Sequence, residues 1–171
     1  MLMKVSAMPR FLHAVLALAA MLSAAPGYAD AERASFFVID AIKSDNGAIA
    51  NGTLAEQHGS TAAVRELGAT LVRDHSASKA EAIAAGDQVG VGTPTDMTAP
   101  ARHLQRQLLR LSGPEFDRVF LKALIKDHRK AIAKFEEQRR IGDAVTRKLA
   151  EDALPHLSEH LQVALSLQSG G

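Results

Sequence analysis

The sequence predicts an all-α fold, an up-down four-helix bundle with a short extra helix in its long crossover connection. Apolar residues recur at three-to-four spacing through the long stretches, which is the repeat of one buried helix face. No stretch of useful length alternates with the two-residue period of a strand. Glycine and proline gather at a few points, where they separate one helical stretch from the next.

The chain opens with Lys4 and Arg10, an apolar run from Phe11 to Ala25, and the small residues of Pro26-Gly27-Tyr28-Ala29. This is the layout of a secretory signal peptide, residues 1–29, cut after Ala29 or alternatively after Ala31. The apolar run is shorter than the roughly 20 residues that cross hydrocarbon. An exported chain in the periplasm or cell envelope is expected, with no membrane span after cleavage, and residues 30–171 make a single domain with its core at about 34–167.

The first helix is expected from Ala34 to about His58, with Phe36, Phe37, Ile39, Ile42, Ile49 and Leu54 as its apolar content. Gly47, Asn51 and Gly52 weaken it, glycine by about 1 kcal/mol relative to alanine. Gly59 stops it, and Ser60 or Thr61 caps the second helix, which runs to about Ala85. On that helix Val64, Leu67, Leu71, His75, Ser78 and Ala82 share one face. Gly86, Gly90, Gly92, Pro94 and Pro100 then make a crossover loop, followed by a short amphipathic helix from Ala101 to Leu111. Ser112-Gly113-Pro114-Glu115 opens the third main helix, to about Arg140, with a cap candidate, a first-turn proline and an early acid. Its stripe is Phe120, Leu124, His128, Ala131 and Phe135. After the turn at Ile141-Gly142-Asp143, the fourth helix spans Ala144 to about Leu167, and Pro155 is expected to kink it.

Composition removes several functions. Of 20 cations and 19 anions, cleavage takes Lys4 and Arg10 and leaves 18 against 19, so the mature chain has no basic footprint for nucleic acid. The absence of cysteine excludes disulfides, thiolate catalysis, thiolate-held clusters and covalent haem attachment. Tryptophan is absent and Tyr28 leaves with the signal, which excludes tyrosyl chemistry and leaves little for aromatic stacking platforms.

Two Asp-His pairs stand in matching surroundings, Leu71-Val72-Arg73-Asp74-His75 and Leu124-Ile125-Lys126-Asp127-His128. At 1.5 Å per residue, His75 and His128 each lie ~21 Å into their helices from opposite ends, and His156 and His160 lie at ~18 and ~24 Å. All four fall near mid-height, the level at which bundles assemble metal sites from facing helices. His75, His128, His156 and His160 are therefore the candidate ligands, with Asp74, Asp127 and Glu159 as outer partners that orient the imidazoles. The cofactor implied is a divalent transition metal. Each histidine also has a structural reading, in which the ring packs at the edge of an apolar stripe and gives one hydrogen bond. His58 and His103 read as helix-end and surface residues.

The stretches Ala63-Val64-Arg65-Glu66-Leu67, Val72-Arg73-Asp74-His75, Ser112-Gly113-Pro114-Glu115-Phe116-Asp117, Lys126-Asp127-His128 and Leu154-Pro155-His156-Leu157-Ser158-Glu159-His160 resemble the bacterial exported family catalogued as domain of unknown function 4142. The resemblance covers about residues 34 to 167. It implies a ferritin-like bundle in the periplasm or envelope without a settled activity, and it places His75, His128 and His160 at recurrent histidine positions beside Asp74, Asp127 and Glu159. The first helix departs from it, with Ala48 or Ala50 where a glutamate is expected.

Two main readings follow. The first is a noncatalytic envelope protein, related to stress, whose histidines are structural and whose surface binds a protein partner. The alternative is a metal-binding bundle that stores or buffers Zn, Cu or Fe. A metal-dependent oxidase ranks below both, because the glutamates and the Glu-x-x-His motifs of a di-iron site are missing. No residue is read as catalytic, and the balance favours a protein that is not an enzyme.

Overall fold

The structure, a computed structural model, describes residues 26–170. Most of the signal-peptide reading, residues 1–25, lies outside the described residues. Five helices follow in order: α1 Pro26–His58, α2 Ala62–Val89, α3 Ala99–Leu108, α4 Gly113–Ile141 and α5 Ala144–Ser169. No strand occurs among the described residues. The four long helices and the short α3 in the crossover are the architecture expected, and no described helix is long and apolar enough to cross a membrane.

The ends of the helices follow capping chemistry. Thr61 caps α2 by accepting from the Val64 N–H, and Asp143 caps α5 by accepting from the Thr146 N–H at 2.8 Å. α2 outruns its expected end because Gly86 is buried inside the helix, against Val38 and Val91; the stop is Gly90, left-handed at φ 74°. α3 begins two residues before Ala101 because Thr98 supplies the cap and Pro100 sits in the first turn. Ser112 occupies the α4 cap position without a side-chain cap bond. α1 starts at Pro26, earlier than Ala34, and α5 remains helical through Pro155.

α1 lies along α2, α4 along α5, and α2 along α5, whereas α1 and α4 hardly touch and α3 packs into part of the gap between them. The α1–α2 contact is close because Gly68 faces Gly52: a Cβ on Gly68 would sit 2.7 Å from the Gly52 carbonyl oxygen and against the Glu56 backbone. The apolar core comes in two clusters. One holds Phe37, Ile42, Ala82, Phe135 and Leu157, and the other holds Ala55, Leu71, Phe120, Ile125 and Ala164. On every long helix the chain passes from one cluster to the other through a buried polar residue, Asp45, His75, His128 or His160.

Candidate metal centre

His75 from α2, His128 from α4 and His160 from α5 meet where the two apolar clusters part. They are buried, at 7%, 5% and 1% exposure, and their ring centroids form a nearly equilateral triangle with sides of 5.8, 5.4 and 5.4 Å. One ring nitrogen from each lies within 4.8 Å of the other two. Around a tetrahedral ion, metal–nitrogen bonds of ~2.1 Å place ligand nitrogens ~3.4 Å apart. His128 Nε2 and His160 Nδ1, at 3.3 Å, already have that separation.

Each ring is held on its far side. His75 Nδ1 is 2.8 Å from Asp45 Oδ1 on α1, and the second oxygen of Asp45 accepts from the Ser78 hydroxyl. His128 Nδ1 is 3.2 Å from the Leu124 carbonyl, one turn back on α4. His160 Nε2 is 3.0 Å from Asp74 Oδ2, and Arg73 donates to the same carboxylate. These acceptors assign the tautomers, because a carbonyl or a carboxylate needs an N–H facing it. The protons then sit on the outer nitrogens, and the lone pairs of His75 Nε2, His128 Nε2 and His160 Nδ1 all face the centre. His75 Nε2 has no hydrogen-bond partner, and the 3.3 Å contact between His128 and His160 brings two lone pairs together.

The electrostatics disfavour the charged form of His128 and His160. Burial, together with the neighbouring His75 and His160, pushes His128 down from 6.5 to about 3. Burial also lowers His160, against the opposing pull of Asp74. Burial raises Asp45, while the His75 hydrogen bond holds it back. At Asp74 burial works in the same upward direction, but the bonds from Arg73 and His160 prevail and leave the carboxyl below its usual range. The centre thus offers three imidazole nitrogen donors, with carboxylates only behind them. That donor set suits one borderline first-row ion such as Zn(II) or Cu(II), and neither a hard calcium-type ion nor a carboxylate-bridged pair of irons.

The remaining sequence candidates lie elsewhere. His156 is outside the cluster: its side chain is 56% exposed, and Nδ1 stands 3.9 Å from Asp74. Four residues of helix rotate a side chain by about 40° beyond a full turn and move it about 6 Å along the axis, so His156 and His160 cannot face one centre equally. Asp74 serves His160 and not its neighbour His75, because adjacent helical residues do not face each other. Asp127 is exposed beside the site, where partial desolvation raises its carboxyl, and Glu159 is exposed without a bond to any of the histidines. Sequence reasoning missed the pairing of Asp45 with His75, which depends on how α1 is rotated against α2. The Leu124 carbonyl is a backbone group and leaves no residue-type signal.

A cavity of about 460 Å³ adjoins the centre and is lined by all three histidines. No curated protein matches the chain. A solved structure described as a crystal structure of a DUF305 fragment from Deinococcus radiodurans is similar in fold, with a TM-score of 0.72 at 14% identity, over 81% of this chain and 97% of that one. The family model described as Domain of unknown function (DUF4142) matches residues 19–167, and the chain belongs to that family.

Proposed function

We propose that this protein binds a single borderline transition-metal ion through His75, His128 and His160, and that it does so in the cell envelope. The observation that supports this reading most is the inward set of lone pairs. Two neutral imidazole nitrogens at 3.3 Å, with a third buried nitrogen left unbonded, repel or remain unsatisfied until a cation takes all three. A purely structural histidine cluster would turn one tautomer so that a proton lies between the rings. Here the outer acceptors Asp45, Leu124 and Asp74 prevent that. The same acceptors are the partners that raise the basicity of metal-bound imidazoles. The envelope location rests on the signal-like start of the sequence.

Titration of the chelator-treated protein with Zn(II), Cu(II) and Co(II), followed by calorimetry and elemental analysis, tests this. One equivalent is expected to bind to the wild type, with loss of most of the affinity in His75→Ala, His128→Ala or His160→Ala and little change in His156→Ala. Equal binding by the wild type and the three cluster variants would leave the histidines as packing groups only.

A further inference from the structure

A cavity lies beside the histidines. It opens where α1 and α4 diverge, and its volume of about 460 Å³ is that of a small-molecule site. Below the histidines its walls are mainly apolar, with Leu71, Leu104, Phe120 and Leu124 among them. Asn51 also lines it, at 6% exposure. The Asn51 amide nitrogen donates to the Ala101 carbonyl, but the side-chain oxygen has no partner, so a buried acceptor is left for a hydrogen-bond donor. Asn51 lies six residues from Asp45 on α1, or ~9 Å along the axis from the level of the histidines.

At the mouth, Lys126 and Lys130 line the cavity and take part in no salt bridge among the described residues. The carboxylates that line it are Asp127, next to those lysines, Asp40, which is engaged by Lys134, and Asp45 and Asp74, which are taken up by His75 and by Arg73 with His160. An ion held by three neutral imidazoles keeps its positive charge. Electrostatics at the head of the cavity therefore favour an anion, the walls favour a hydrocarbon body, and Asn51 favours a terminal donor.

We propose that the metal-loaded protein binds a small organic carboxylate, with its carboxylate on the ion, its alkyl body along Leu71, Phe120 and Leu124, and a terminal hydroxyl donating to Asn51 Oδ1. This rests on the metal reading above. The test uses the Co(II)-loaded full chain, whose visible spectrum reports the ligands of the ion. Acetate, butyrate, hexanoate and the hydroxyl-terminated analogue of hexanoate are titrated in turn. Affinity is expected to rise along the series, with hexanoate at least about tenfold tighter than acetate as methylenes leave water. The hydroxyl analogue is expected to lose its advantage over hexanoate in Asn51→Leu. If Co(II) binds and the carboxylates leave its spectrum unchanged, or acetate and hexanoate bind equally, the carboxylate proposal is overturned while the metal reading stands. If Co(II) does not bind at all, both fall.

Discussion

Asp45 is the residue on which the basicity of His75 depends. It is buried at 5% exposure and bonded to the outer nitrogen of His75, so removing its charge weakens the ligand without touching the ion. Asp45→Asn is expected to lower metal affinity by about 10- to 100-fold, whereas Glu159→Gln, at an exposed position, leaves it unchanged; calorimetry on both variants checks the contrast. His128 makes a second prediction for the metal-free protein. Its folded value of about 3 lies below the unfolded 6.5, so its contribution to stability is complete above pH 6.5 and is lost as pH falls toward 3. The slope from this one group reaches at most about 1.4 kcal/mol per pH unit. Raised Asp45 works in the opposite sense, so the measurement is a comparison: urea unfolding of wild type and His128→Leu across this range should give a shallower acid dependence in the variant. The sequence made the histidines legible as a level but not as a triangle. Periodicity fixes depth well and rotation poorly, and that is why His156 was grouped with His160.

Among the elements, the α1–α2 pair depends on space that only glycine leaves. Gly68→Ala would drive a methyl into the backbone of α1 at Gly52 and Glu56, with an expected loss of roughly 1–3 kcal/mol in denaturant unfolding. Thr61→Ala removes the bond that starts α2 and should cost about 1 kcal/mol. Both changes lie away from the three histidines and should spare metal binding at temperatures where the variants are folded. Helix starts were readable at Thr61 and at Ser112-Gly113-Pro114, because capping is local chemistry, although Ser112 makes no cap bond and Asp143, read as part of a turn, is the cap of α5. The end of α2 was not, because the helix continues through Gly86 on the strength of contacts with Val38 and Val91, residues distant in sequence or beyond the helix. The close approach of Gly52 and Gly68 was likewise invisible, since composition marks a glycine as weak in a helix without saying which neighbour requires it.

For the whole molecule, an ion that binds only the folded chain adds stability by mass action, about 2.7 kcal/mol at a free concentration one hundred times its Kd. In a domain of this size that corresponds to a rise on the order of 10 °C in the thermal midpoint, measurable by calorimetry with and without Zn(II) and abolished in His128→Ala. The divided core has a further consequence, for cooperativity. Two apolar halves joined through one buried polar layer can open separately, so amide hydrogens near Phe37 and near Phe120 should exchange with different free energies in the metal-free chain. A bound ion ties α2, α4 and α5 together at the boundary, and the two halves should then exchange as one unit.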